Sequence, residues 1–428
     1  MKRRVVITGV GMVTPLGLDA MTTWRHLVEG RSGISDITVF DASEFPTRIA
    51  GEVKGFDFEK WRQRDPALQH AHRGTFFALE AASEAFKDSH LRIFDLDADR
   101  FGIYFGAGDS GSEFQPFTKT VGASLSTNGR VIDPAMYLAE SSRYLNGLAE
   151  LEVQPFMTVT HLTRHFDIRG PVSNCLTACA ASSQAIGEGA EWIRSGMADV
   201  VMAGGAHSMI HPLGVAGFSL LTALSTRNED PKRASRPFDK HRDGFVLSEG
   251  AGVVILEELS HALKRRTKIY GEIIGYGSTA DAYRLTDMDP EALGATRAVT
   301  LAMQKGGLRT RDVDYINAHG TSTQVNDSAE TRVIKNVFAD YAARIPVSSI
   351  KSMLGHMIAA AGVTEVIASV YTMKYHVIPP TINYEEPDPE CDLDYVPLRA
   401  REAEVRVVLS NSFGFGGQNI CLAIKRYD

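Results

Sequence analysis

Cysteine is scarce in this sequence. Four residues in a chain of 428 cannot staple a fold of that length, so a disulfide framework is excluded and a reducing compartment is expected. A long apolar run is also missing. The most apolar stretch, Met353 to Tyr371, is broken by His356 and Glu365, which argues against a membrane span. Basic excess is absent too: 45 Lys+Arg stand against 52 Asp+Glu, a formal charge of −7, with no electrostatic footprint for nucleic acid. The opening Met1-Lys2-Arg3-Arg4-Val5-Val6-Ile7 imitates an export signal. Gly9, Gly11 and Pro15 interrupt it before a useful apolar core, and no small-residue cleavage site follows. A soluble, cytoplasmic protein is expected.

What is present is an α/β pattern. Short β-branched runs (Arg4–Val10, Phe101–Phe105, Ala198–Ala203, Gly252–Glu257, Ile269–Tyr276, Val313–Asn317, Val405–Leu409, Ile420–Lys425) alternate with helical periodicity at Ala20–Glu29, Gly74–Asp88, Ser182–Ser195, Glu291–Lys305, Ala329–Tyr341 and Met357–Lys374. No Gly/Ser linker separates independent domains. Two compact halves, 1–265 and 266–428, are therefore expected to share one core.

The halves echo one another. Val5-Val6-Ile7-Thr8-Gly9-Val10-Gly11 resembles Ile273-Ile274-Gly275-Tyr276-Gly277, and each half closes with a Gly-rich turn feeding an apolar strand. That symmetry predicts Cys179 and His356 at equivalent helix ends across a pseudo-dyad.

Several motifs carry less than they promise. Gly106-Ala107-Gly108-Asp109-Ser110-Gly111 fits a dinucleotide-binding glycine pattern, but Ser112-Glu113-Phe114-Gln115-Pro116 opens a helix poorly, so a tight strand-end turn is expected. Asp95-Leu96-Asp97-Ala98-Asp99 begins like a calcium loop, with Arg100 at the glycine position and Gly106 at the bidentate glutamate position; calcium is excluded. His161 with His165, and His207 with His211, have zinc-pair spacing without a third ligand. They are expected as partly buried histidines, and no metal is expected. Lys264-Arg265-Arg266-Thr267-Lys268 is expected as a solvated helix end complementing the dipole.

Cys179 is the most informative residue. In Gly170-Pro171-Val172-Ser173-Asn174-Cys175-Leu176-Thr177-Ala178-Cys179-Ala180-Ala181-Ser182 a strand-like run meets small residues and a helix begins. A thiol at a helix N-terminus is expected to have a lowered pKa. That segment alone fits a buried structural cysteine equally well. The C-terminal half adds Asn317-Ala318-His319-Gly320-Thr321-Ser322-Thr323 after a strand, Lys351-Ser352-Met353-Leu354-Gly355-His356 at a helix start with Glu365 beyond it, and the loop Asn411-Ser412-Phe413-Gly414-Phe415-Gly416-Gly417-Gln418-Asn419. The loop offers free N–H groups for an oxyanion. Each block alone has a bland explanation; together they describe one catalytic centre.

These blocks, in this order, resemble the β-ketoacyl-acyl-carrier-protein synthases, in the elongating type II branch of the thiolase superfamily. The resemblance covers nearly the whole chain, including Ala223-Leu224-Ser225-Thr226-Arg227-Asn228 and Ser235-Arg236-Pro237-Phe238-Asp239. It implies a thiolase-like fold, two pseudo-symmetric mixed-sheet halves in an αβαβα layering. It also implies a Cys179–His319–His356 triad that condenses malonyl-carrier protein with an acyl chain on Cys179, in fatty acid or specialised polyketide and polyene elongation. Lys351 and Glu365 would orient the histidines. The N–H groups of Cys179 and Phe415 would form the oxyanion hole, with Phe415 as gate. Thr321, Thr323, Phe413 and Gly416 would meet substrate. No cofactor is implied beyond the carrier's phosphopantetheine. The implied partners are an acyl carrier protein, for which Arg227, Lys232 and Arg233 are the candidate surface, and a second subunit, identical or related.

The sequence departs from the family at Gln418, where Thr is usual, at His207, where an acidic residue is common, and across Gly108–Pro116 and Phe114–Ala149. The helix start near Gln69, His70, His72 and Arg73 is less basic than a usual carrier surface. Two other readings are a non-catalytic chain-length partner, which would lack the nucleophile, and a degradative thiolase. The latter would need a second active-site cysteine, and neither Cys391 nor Cys421 lies in the Gly-rich loop.

Overall fold

The computed structural model describes residues 3–108, 111, 113–126 and 128–428. Ten strands form one sheet. In chain order they are β1 (Val5–Val13), β2 (Phe101–Ala107), β3 (Val172–Cys175), β4 (Val200–His207), β5 (Gly250–Glu258), β6 (Gly271–Ala280), β7 (Tyr315–Asn317), β8 (Val347–Ser348), β9 (Val407–Gly414) and β10 (Gln418–Lys425). Their spatial order is β8-β7-β9-β10-β6-β1-β5-β4-β2-β3. All eight runs expected as strands are present. β3 and β8 are the additions, and they are edge strands too short to give a period-2 signal.

Each half repeats one topology. β1 pairs antiparallel with β5 and β5 with β4, while β4–β2 and β2–β3 are parallel. β6 pairs antiparallel with β10 and β10 with β9, while β9–β7 and β7–β8 are parallel. Among the described residues the two half-sheets join where Val6 and Ile7 meet Glu272 and Gly271. β1, β4 and β5 are buried along their whole length, which is why their sequences read as continuous apolar runs.

The repeated Gly-x-Gly has a packing cause. A Cβ on Gly9 or Gly11 would lie 2.2 and 2.1 Å from the carbonyl oxygens of Ala85 and Ala81 in helix α1 (Arg73–Asp88). A further helix, α2, runs from Phe114 to Ala123. The central helix α3 (Ala181–Ser195) packs on β2, β4 and β5 and also on β6 and β10. A Cβ on Gly275 or Gly277 would meet Ala302 and Ala298 of helix α4 (Leu293–Gly306) at 2.0 and 1.9 Å. Each half thus presses an outer helix onto its first strand at a distance only glycine allows.

Helix α5 (Gln324–Phe338) packs on α4, and the second central helix, α6 (Ala361–Tyr375), contacts β5, β9 and α3. The layers are therefore α1, half-sheet, α3 with α6, half-sheet, and α4 with α5. No described helix is long and apolar enough to cross a membrane.

Three expectations are corrected. α2 does open at Phe114, where the sequence predicts a poor helix start, and the expected turn falls partly on Asp109, Ser110 and Ser112, which lie outside the described residues. α5 starts five residues early because the Thr323 hydroxyl caps the Asn326 N–H. α6 starts at Ala361, not Met357, because Ile358 has φ +46°, which breaks helical continuity.

Candidate active site

The two central helices begin alike. A single 3₁₀ turn, Ala178–Ala180 or Ile358–Ala360, leads into α3 or α6. The first residue of each turn is left-handed, Ala178 at φ +47° and Ile358 at φ +46°. Cys179 is therefore matched by Ala359 across the pseudo-dyad. His356 stands three residues ahead of that position, which corrects the expected equivalence.

Cys179, His319 and His356 converge. Cys179 Sγ lies 2.9 Å from His356 Nε2, and the sulfur and one nitrogen of each histidine all lie within 4.8 Å of one another. The imidazoles meet edge to face at 5.4 Å. Phe245 abuts His356 at 5.2 Å and Phe413 abuts His319 at 6.0 Å. All three triad residues are buried.

Backbone structure fixes each side chain. His319 follows β7, and its own N–H and that of Gly320 both donate to the buried Glu330 carboxylate of α5, at 2.9 and 2.8 Å. Asn411 Nδ2 donates to the same carboxylate at 3.1 Å. Burial pushes Glu330 up to about 7. Lys351 Nζ pairs with Glu365 and lies 2.6 Å from the His319 carbonyl and 3.3 Å from His319 Nδ1. An ammonium has three donors and no acceptor, so all three are used and His319 Nδ1 accepts. The Ile358 N–H donates to His356 Nδ1 at 3.3 Å. Both imidazoles must then carry their proton on Nε2. Burial, reinforced by the Lys351 charge, drives both histidine pKa values well below the ordinary range, so they are neutral.

The sulfur does not behave as its position in the sequence implies. Burial pushes the Cys179 thiol up to about 11, and Lys351 and the N–H groups of Phe415 and Cys179 oppose that rise without overcoming it. The expected lowering is corrected, because desolvation outweighs the helix terminus. The polar groups that approach the sulfur, His356 Nε2–H and the backbone N–H groups of Phe415 and Cys179, are nonetheless donors. Burial likewise raises Glu365 to about 7, opposed by Lys351.

A cavity connects the triad to Thr321, Thr323, Phe413 and Phe415, and adds Thr286, Met288, Val325 and Asn326. Gly416 turns away, its N–H donating to the Leu285 carbonyl at 2.7 Å. Behind Cys179 an apolar cluster holds Ile210, Val215, Leu224, Phe245 and Leu247, a wall suited to a hydrocarbon chain.

Arg227 and Arg233 line a different cavity, beside Glu229, Asp230, Glu385 and Glu386. Arg233 is paired with Glu385 there, and Lys232 is exposed nearby. Arg73 is likewise engaged, paired with Glu249. His161 is buried against Glu152 at 2.9 Å, and His211 caps the helix Pro212–Leu220. The basic run after Leu259–Lys264 finds intramolecular partners: Arg265 bonds Glu257 and Lys268 bonds Asp88.

The sequence reading missed Glu330, Asn411 and the Ile358 N–H. Glu330 shares the buried face of α5 with Asn326, Asp327 and Thr331, so nothing local singled it out.

Residues 2–262 match the family model "Beta-ketoacyl synthase, N-terminal domain", and residues 270–385 match "Beta-ketoacyl synthase, C-terminal domain". A 3-oxoacyl-[acyl-carrier-protein] synthase 2 of Synechocystis sp. is 45% identical over 426 residues, covering 100% of this chain and 99% of that protein. One from Coxiella burnetii is 44% identical over 431 residues, covering 99% of each. Among solved structures, the ishigamide ketosynthase/chain length factor superposes with TM-score 0.88 at 34% identity, covering 100% of both chains. A chain of the AntDE:AntF complex, a type II PKS acyl-carrier protein with its ketosynthase bound to the hexaketide, gives 0.87 at 33% with the same coverage.

Proposed function

Because this chain belongs to the β-ketoacyl synthase family, we propose that it is a β-ketoacyl-acyl-carrier-protein synthase that elongates an acyl chain carried on Cys179. The observation that carries this reading is the convergence of one sulfur and two Nε2–H imidazoles within 4.8 Å at the end of a buried cavity.

Cys179 Sγ attacks the thioester carbonyl of an acyl-carrier protein. The N–H groups of Cys179 and Phe415 hold the tetrahedral oxyanion, and the pantetheine sulfur leaves as the thiol, taking the proton that Cys179 gives up. Malonyl-carrier protein then enters past Thr321 and Thr323, with Phe415 as gate. Loss of carbon dioxide leaves an enolate whose oxygen accepts hydrogen bonds from His319 and His356. Its carbon attacks the acyl carbonyl and expels the Cys179 thiolate. Lys351 and Glu365 hold the histidine tautomers. Decarboxylation drives the new bond, so no metal or redox cofactor is needed.

We divide the chain at 265/266 into a half that supplies the nucleophile and a half that supplies the donors, and place it in the cytoplasm. It works as a dimer with a second copy or a related chain, a reading supported by the free edge of β3, where Val172 is 50% exposed. A purely chain-length-determining role is opposed by the intact triad. The test is intact-mass spectrometry with acyl-carrier substrates of graded length and unsaturation. One acyl adduct per chain is expected, absent in Cys179→Ala; an unmodified wild type, or an adduct on the variant, sinks the reading.

A further inference from the structure

The Cys179–His319–His356 cluster has the composition of a zinc site. It offers one sulfur and two imidazole nitrogens within 4.8 Å of one another, all buried, and thiolate with imidazole is a donor set that thiophilic divalent cations favour. An enzyme that exposes such a set to cellular zinc risks losing its nucleophile.

The groups behind the imidazoles are the reverse of what metal ligation requires. A metal-binding histidine donates its outer N–H to a carboxylate or carbonyl, which fixes the inner lone pair on the metal and raises its basicity. Here the outer nitrogens accept. Lys351 Nζ stands 3.3 Å from His319 Nδ1, its other two donors being spent on the His319 carbonyl and Glu365. The Ile358 N–H stands 3.3 Å from His356 Nδ1. To ligate through Nε2, each ring would have to move its proton to Nδ1, where it would face another donor. The Lys351 charge adds repulsion toward any cation seated beside His319.

The Ile358 backbone is part of the device. A β-branched residue at φ +46° is a conformational outlier that persists only where the surroundings enforce it. The matched Ala178 shares that conformation; in this half the peptide at Ile358 also places its N–H 3.3 Å from His356 Nδ1.

We propose that these two outer donors form a tautomer lock that keeps the triad a receptor for oxygen anions and closes it to thiophilic divalent cations such as Zn²⁺. The lock makes Lys351 and the Ile358 peptide positioning groups with a protective role distinct from turnover.

The test is metal binding, not activity, so its failure leaves the condensation reading untouched. Full-length protein, free of added thiols, is titrated with Co²⁺ and followed by the sulfur-to-cobalt charge-transfer band. Wild type is expected to show no band that depends on Cys179. Lys351→Met, which frees His319 Nδ1, is expected to bind Co²⁺ at least about 10–100-fold more tightly, the range over which outer-shell partners tune metal sites. Its band should vanish when Cys179→Ala is added. If the lone Glu365 prevents that variant from folding, Lys351→Met with Glu365→Gln serves instead. A stoichiometric Cys179-dependent band in wild type overturns the proposal. So does a folded variant that gains no affinity.

Discussion

The two halves of this chain are built to one plan and used for different chemistry. Strand order, strand direction, the glycine-backed outer helix and the left-handed residue before each central helix all recur. At matched positions, however, one half carries Cys179 and the other Ala359. The second half compensates by carrying His319, Lys351 and His356 on its own strand ends and turns. The repeat supplies the scaffold, and the reaction depends on where the repeat fails. Catalysis by a nucleophile facing two donors needs different residues on opposite sides of one carbonyl, and an exact repeat would place like against like.

The comparison breaks most sharply at the nucleophile. Cys179→Ala should lose condensation entirely. Adding Ala359→Cys should restore none of it, because position 359 packs among Cys175, Ala181 and Ala185. A steady-state assay of carbon–carbon bond formation reads both; recovery in the double variant would show that the halves are functionally interchangeable.

The donor side comes next. His356→Ala should slow malonyl decarboxylation by about 10²–10³, the usual cost of one oxyanion donor, measured as carbon dioxide release. A wild-type rate would remove His356 from the donor pair and leave His319 alone.

Stability should follow the repeat where catalysis does not. Gly11→Val and Gly277→Val each force a side chain into a helix carbonyl that a Cβ would meet at 2.1 or 1.9 Å. Each should cost at least about 1–3 kcal/mol by overpacking, seen as a lowered urea midpoint. Comparable losses sharpen the symmetry, whereas loss in one half alone would make the sequence echo an accident.

Much of this was legible from residue order, because the chemistry is written in short blocks. The eight main strands and five of the six named helices follow from local pattern, and Cys179, His319 and His356 lie in short blocks that stand out from it. What was not legible depends on three-dimensional environment. The Cys179 thiol is raised by a buried cavity that no single segment encodes. Glu330 looks like an ordinary helix acid until β7 brings two N–H groups onto it. The match of Cys179 to Ala359 required the left-handed backbone at Ala178 and Ile358, since Gly355-His356 imitates a helix start in sequence.

The smallest expected effect concerns pH. His356 is neutral in the folded protein, its pKa held well below 6.5 by burial and Lys351, while the unfolded chain takes up a proton near about 6.5. Its contribution to stability is therefore present above that value and lost as pH falls below it. Glu330 and Glu365, raised to about 7 in the fold, act in the opposite sense. Their contribution is full below their unfolded values and lost as pH rises through about 7. In wild type the opposing slopes partly cancel, so only a difference between proteins isolates the histidine. Relative to wild type, the destabilisation caused by His356→Gln should shrink by about 1.4 kcal/mol between pH 7.5 and 5.5, measured by urea unfolding at both values. Ala359, at the foot of the same helix, titrates nothing, and Ala359→Gly should show a constant deficit across that window. A deficit for His356→Gln that is equally flat would mean the ring titrates in the fold as it does in the unfolded chain, and one that widens as pH falls would mean it is charged there; either would undo its role as a ring held neutral.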